Sequence, residues 1–301
     1  MVDITDKKNS LREATAQAII RVNSLKTIDA IKKNKVPKGN VFEISRAAGL
    51  LGIKKTSELL PDCHPIPIEY ANFDFKIKDL EIQILCTIKT IYKTGVEVEA
   101  MHGASIVSLN IYDMLKPIDK EIEIQQIKLI QKKGGKTDFH KLNSKVNAAV
   151  VVCSDSISIG ENEDKAGKAI EKALNKWDVK VDDYSVIPDN IEQIQKSLLS
   201  RQKRDFSIVI FTGGTGLSPR DVTPEAIKPL LDKNIPGIEE SMRSYGQNRT
   251  RYAMLSRSVV GIKKSTLVLA LPGSTKGALE SINAIFPEVL HLFDILKGAK
   301  H

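Results

Sequence analysis

The sequence predicts two folds in tandem: an α+β unit with an antiparallel sheet and helices, then an α/β unit with an open, doubly wound sheet. Three observations predict this. Apolar and polar residues alternate strictly around Ile82, Ile84, Cys86 and Ile88 in the first half, which marks a half-buried antiparallel strand. In the second half, unbroken apolar runs such as residues 146–152 alternate with helical stretches, as in a parallel sheet covered on both faces. Between them, residues 132–145 are polar, glycine-bearing and without period. These boundaries give a first domain over 1–138, a linker over 139–145 and a second domain over 146–301.

Each element has its own warrant. In the first unit, helices are expected over 24–33, 40–51 and 99–115, where apolar residues recur at helical spacing. Strands are expected over 67–76 and 122–132, and along the run that sets Ile82, Ile84, Cys86, Ile88 and Tyr92 opposite Glu81, Gln83, Thr87 and Lys89. In the second unit, strands are expected over 146–153, 180–186, 206–212 and 267–271. Helices are expected over 165–177, 191–201, 224–231, 238–247 and 276–296. Ligands of such sheets bind at the carboxyl ends of the strands.

The 301 residues suffice for two self-supporting cores, and 42% hydrophobic with 27% charged residues is ordinary globular usage. No 18-residue run lacks charge, so no membrane span is expected. The first residues lack the layout of a signal peptide. Cys63, Cys86 and Cys153 form no C-x-x-C pair or even-numbered framework, which suits a reducing cytoplasm. A net charge of +8 favours anionic ligands. Only 5% of residues are aromatic and no helix carries a dense basic stripe, which argues against nucleic acid and leaves phosphate-rich small molecules.

Three segments of the first unit concentrate reactive side chains: Lys38-Gly39-Asn40, Cys63-His64-Pro65, and Gly95 to Met101 running into Ile111-Tyr112-Asp113-Met114-Leu115-Lys116. Taken singly, each has an ordinary reading. Asp113 and Lys116, three apart on a helix, can be an exposed ion pair, and Glu97 and Glu99 can be a negative first turn. Taken together, with Met1-Val2-Asp3-Ile4 and Gly134-Gly135-Lys136, they resemble the MoaC family, the cyclic pyranopterin monophosphate synthases of molybdenum cofactor biosynthesis, over about residues 1–136. The resemblance implies that a cyclised dihydro-GTP is converted to cyclic pyranopterin monophosphate with release of pyrophosphate, and it calls for no cofactor. It makes Lys38 and Lys116 catalytic, with Asp113 orienting Lys116; His64, Glu97 and Glu99 line the purine-derived end, and Arg12, Lys132 and Lys136 hold the triphosphate. Ring opening needs proton transfers, for which a lysine with lowered pKa is suited, and clustered cations lower one another's pKa.

In the second unit, Thr212-Gly213-Gly214-Thr215-Gly216-Leu217-Ser218-Pro219-Arg220-Asp221-Val222-Thr223-Pro224-Glu225-Ala226 follows a strand and opens a helix. Its glycines permit a tight turn whose N–H groups can face an anion, with Thr223 expected as the helix N-cap. With Ser154-Asp155, Pro188-Asp189, Leu255-Ser256-Arg257 and Leu271-Pro272-Gly273-Ser274, this string resembles the MogA/MoaB family over about residues 146–300. Its active members transfer AMP from ATP to molybdopterin with Mg²⁺; others only bind molybdopterin. The resemblance makes Asp189 and Asp221 the functional acids, Asp221 as the Mg²⁺ ligand. Gly213, Gly214, Thr215 and Gly216 cradle phosphate, and Ser154, Asp155, Ser256 and Ser274 line the pterin and nucleotide pocket. The first family is typically a hexamer of three dimers and the second a trimer. A fusion is therefore expected to be a homohexamer or a trimer.

Overall fold

The structure is a computed structural model, and it describes residues 1–135 and 145–298. The chain divides into two compact units, Met1–Phe139 and His140–His301. The expected linker, Lys145 apart, lies outside the described residues.

The first unit runs β1 (Ser10–Arg21), α1 (Leu25–Lys32), α2 (Val41–Lys54), α3 (Thr56–Leu59), β2 (Tyr70–Lys78), β3 (Glu81–Tyr92), α4 (Glu97–Leu115) and β4 (Glu123–Lys133). Its antiparallel sheet has the order β2-β3-β1-β4, and α4 packs on β1, β3 and β4 with α2 alongside. The α+β expectation holds. The strand absent from the sequence reading is β1, although it is central: Ala14, Ala16, Ala18 and Ile20 are buried beneath the helices. Three of those four are alanine, which favours helix over strand, so the period-two signal there is weak. Helix α4 begins at Glu97, two residues before the expected start, so both Glu97 and Glu99 stand in its first turn.

The second unit runs β5 (Asn147–Cys153), α5 (Asp155–Ser158), α6 (Ala166–Asn175), β6 (Lys180–Ile187), α7 (Ile191–Lys203), β7 (Ile208–Thr212), α8 (Thr223–Ile227), β8 (Lys233–Asn234), α9 (Pro236–Gln247), β9 (Val259–Lys263), β10 (Thr266–Leu271), α10 (Thr275–Ile285) and α11 (Leu292–Leu296). Strands β6-β5-β7-β10 are parallel, and β9 and β8 extend the sheet antiparallel. One sheet face packs against Ile194 and Leu198 of α7 and Ala226 and Ile227 of α8. Helix α10 packs against both α6 and α9. The single helix expected over 276–296 is broken. Phe286 is extended, with φ −90° and ψ 146°, as the position before Pro287 favours, and α10 stops at Ile285.

Candidate active sites

In the first unit the expected residues form two clusters at opposite ends of α4. At its C-terminal end, Asp113 bridges two lysines: Lys38 Nζ lies 2.6 Å from Oδ2 and Lys116 Nζ 2.8 Å from Oδ1. Local structure sets this geometry. Gly39, at φ +100°, turns the chain into Asn40, which caps α2 by accepting from the Glu43 N–H, and this leaves Lys38 at the helix start. Lys116 is the C-cap of α4, one turn beyond Asp113. Hydrogen bonds from Lys116 and then Lys38 hold the Asp113 carboxyl down to about 2. The same bond with Asp113 raises Lys116. The lowered lysine pKa expected from clustered cations is therefore not what this arrangement produces at Lys116: the carboxylate is nearer than any second cation and dominates.

At the N-terminal end of α4, Lys132 of β4 lies 3.6 Å from Glu97. Glu99 is buried, and desolvation, with the Glu97 charge adding to it, pushes its carboxyl up. Glu99 in turn is one cause, after burial, of the raised Cys63 thiol next to His64. His64 donates from Nε2 to the Val2 carbonyl at 2.9 Å, because only a carbonyl acceptor stands there. Arg12 lies on the buried face of β1, where Nε and Nη2 donate to the Tyr92 and Lys93 carbonyls at 3.2 and 3.3 Å. Nη1 lies against Gly135, where a side chain would collide with it. Two of its donor nitrogens thus serve the backbone. Lys136 lies outside the described residues. Sixteen residues of α4 separate Glu97 from Asp113, so at about 1.5 Å per residue the clusters are roughly 24 Å apart.

In the second unit, a cavity of about 440 Å³ opens at the carboxyl ends of β5, β6, β7 and β10. Ser154, Asp189, Gly213, Gly214, Asp221 and Ser274 all line it. A second cavity of about 320 Å³ holds Ser256 and Tyr252 and shares Ser274. Ser154 and Ser274 have local duties as well, capping α5 and α10. Asp155 accepts the Asp189 N–H at 3.0 Å through Oδ1. Asp189 is raised by desolvation first, then by the charges of Asp155 and Asp221.

The glycine turn differs in detail from the expectation. Gly213 and Gly214 have φ +103° and +61° and reach the cavity, but the Gly213 N–H donates to the Leu271 carbonyl at 3.2 Å. Thr215 is buried, and Gly216 abuts the Asp221 carboxylate. Val222, not Thr223, is the N-cap of α8; Thr223 is already helical and its hydroxyl is buried. Sequence reasoning missed Asp164, which lines the larger cavity, accepts from the Gly167 N–H and is bound by the Tyr184 hydroxyl. It also missed Arg257, whose Nε donates to Gly216 and Nη2 to Asp221 carbonyls at 2.7 and 2.8 Å, stapling the turn. Asp164 meets Gly167 locally but Tyr184 only across the fold, and Arg257, though part of the Leu255-Ser256-Arg257 motif, acts wholly across it.

Among the described residues no group of three or more His, Cys, Asp or Glu is placed as a metal cage. The buried Asp189 Oδ1 has no partner, however, and the charges of Asp155 and Asp221 press on it. Such a set fits Mg²⁺, which takes one or two carboxylates and completes its shell with water and phosphate.

Residues 1–135 match the MoaC family and residues 149–291 the "Probable molybdopterin binding domain". The chain is thus a fusion of these two classes of unit. A molybdenum cofactor biosynthesis bifunctional protein of Chlorobaculum tepidum is 35% identical over the whole of this chain and 96% of its own length. A cyclic pyranopterin monophosphate synthase of Aquifex aeolicus is 44% identical over 48% of this chain and 58% of its own. Among solved structures, the molybdopterin biosynthesis enzyme MoaB of Thermus thermophilus is 39% identical, covering 51% of this chain and 98% of its own at a TM-score of 0.49. The chain belongs to the family of bifunctional molybdenum cofactor biosynthesis proteins.

Proposed function

We propose that the first unit converts a cyclised dihydro-GTP into cyclic pyranopterin monophosphate, releasing pyrophosphate, and that the second transfers AMP from ATP to molybdopterin. For the first reaction the carrying observation is Asp113 held between Lys38 and Lys116. Asp113 keeps Lys116 protonated, which suits it to give a proton to ring nitrogen as the purine ring opens. Lys38, on the other carboxylate oxygen, is the neighbouring cation that stabilises developing phosphate charge. The cluster of Arg12, Lys132, Glu97, Glu99 and His64 stands too far along α4 for one substrate to touch both ends in one chain. Two copies, each giving one end of its helix, complete the site, so the working form is a homohexamer of three dimers, or a trimer if the second unit dictates it.

For the second reaction the carrying observation is that the Gly213–Gly214 turn, Asp189 and Asp221 line one cavity. Asp221 and Asp189 would hold Mg²⁺ there. When bound, the ion neutralises phosphate charge during transfer. The turn brings the phosphates close, and the adjoining cavity, with Tyr252 and Ser256, suits a flat polar heterocycle. Ser274, common to both cavities, stands where the two substrates meet. Among the described residues no helix is long and apolar enough to cross a membrane. A cytoplasmic setting, with neither nucleic acid nor membrane as partner, accords with substrates that are small phosphates.

The test is direct. The purified full chain is given the cyclised dihydro-GTP, and separately ATP, Mg²⁺ and molybdopterin, with pyrophosphate and the pterin products followed by chromatography. Both reactions are expected. Molybdopterin binding without AMP transfer would make the second unit a scaffold, and no pterin from the first substrate would refute the synthase reading.

A further inference from the structure

Three buried side-chain polar atoms among the described residues lack a hydrogen-bond partner: Asp189 Oδ1, Arg201 Nε and Thr223 Oγ1. Native folds leave few such atoms, and each needs an explanation. Two of the three converge on one point. A side-chain carbon placed on Gly214 would lie 2.6 Å from Asp189 Oδ1 and closer still to Thr223 Oγ1. The acceptor and the hydroxyl therefore both border the space beside the α-carbon of Gly214, which only glycine leaves open. Thr223 is wholly buried, so solvent is not its partner. Its own N–H donates to the Gly214 carbonyl at 3.0 Å, which fixes the distance between the first turn of α8 and the glycine turn.

Cys153 borders the same space. Burial first, opposed by the Thr223 hydroxyl and reinforced by the Asp189 charge, pushes its thiol up to about 12. Its sulfur lies beside the Thr223 hydroxyl. Asp189, which lines the cavity, has its backbone N–H tied to Asp155. Its Oδ1 borders the same space as the Thr223 hydroxyl.

We infer that Thr223 is a positioning residue for Asp189: its hydroxyl donates to Oδ1 across Gly214 and turns the carboxylate toward the substrate cavity. The inference rests on the AMP-transfer reading of this site and adds a residue to it. It also gives Gly214 a role apart from phosphate contact, that of leaving the path between the two side chains clear. Both atoms already border one space.

The experiment compares Thr223→Ser and Thr223→Val in the full chain. Affinity for ATP with Mg²⁺ is read by calorimetry, and kcat and KM for AMP transfer are read with molybdopterin. Thr223→Val keeps the shape and loses the hydroxyl; Thr223→Ser does the reverse. Partners that orient a site's carboxylates are worth about 10–100-fold. Thr223→Val is expected to lower kcat by that factor with KM for molybdopterin little changed, and Thr223→Ser to stay near wild type. In an Asp189→Asn background, Thr223→Val should cost nothing further. If packing alone matters, Thr223→Ser is the worse of the two and the inference falls. It falls too if Thr223→Val matches wild type in both readouts. If the wild type binds ATP with Mg²⁺ but transfers no AMP, the transfer reading fails instead. Thr223 is then decided by affinity: a loss in Thr223→Val alone supports it, and equal affinities overturn it. Should Thr223→Val not fold, Thr223→Cys, with a weaker donor of similar size, takes its place with the same expected direction.

Discussion

Asp113 accepts from two lysines at once, and its carboxyl is held down to about 2, so it stays ionised through any working pH. Asp113→Asn would release both lysines. Pterin formation should fall by about 10²–10⁴-fold, the range for a misplaced acid–base group, and pyrophosphate release measures it. A smaller loss than in Lys116→Ala would show that Asp113 orients rather than reacts. Glu99 behaves in the opposite sense. Its folded pKa is raised, so the folded state binds its proton more tightly than the unfolded chain does. Stability from this group is greatest at low pH and is lost as pH rises from the unfolded value near 4.5 through the folded one. Glu99→Gln removes that loss. The variant's melting temperature should therefore gain on the wild type between pH 4 and pH 7, and a constant difference would contradict the buried, raised acid.

Helices α2 and α4 meet through small residues. A side chain at Gly49 would collide with Phe73 and Val107, each 2.5 Å from its first carbon, and one at Gly103 with Ile53 at 2.7 Å. Gly49→Ala gains about 1 kcal/mol in helix propensity but overpacks this seam at about 1–3 kcal/mol. Calorimetry of the first unfolding transition should show net destabilisation, and a raised melting temperature would mean the helices can part at no cost. In the second unit α7 is tied to β6 by Arg201, which donates to Asp183 at 2.6 Å and to Ser185 at 2.8 Å, with Arg204 on the same carboxylate. Asp183 is lowered by both guanidiniums despite the opposing effect of burial. These tertiary ties belong to neither element's sequence pattern.

At the scale of the molecule, each unit carries its own candidate site, so loss of function should be crossed. Lys116→Ala should abolish pterin formation and spare AMP transfer; Asp221→Ala should do the reverse, because the phosphates lose a carboxylate that would hold Mg²⁺. Measuring both activities on both variants checks this, and silence of both in either variant would mean the units are coupled. The chain should also be a hexamer by light scattering. On the two-copy reading, a monomer should be inactive in pterin formation, because the first unit's two clusters lie at opposite ends of α4. An active monomer would overturn the two-copy site.

What the sequence by itself determined was the class of each unit and most element positions; for both candidate sites it nominated the residues. Period-two and helical spacing are local, and so are motifs such as Lys38-Gly39-Asn40 and the glycine turn at 213–216. What only the tertiary structure decided was which of those residues meet. The alanines of β1 become a central strand only when β3 and β4 pair with them. Asp113 meets Lys38, far from it in the chain, while Glu97, on its own helix, is out of reach. Thr223 and Asp189 both border the space that Gly214 leaves open. Such encounters depend on packing between distant segments, and local propensity carries no record of them.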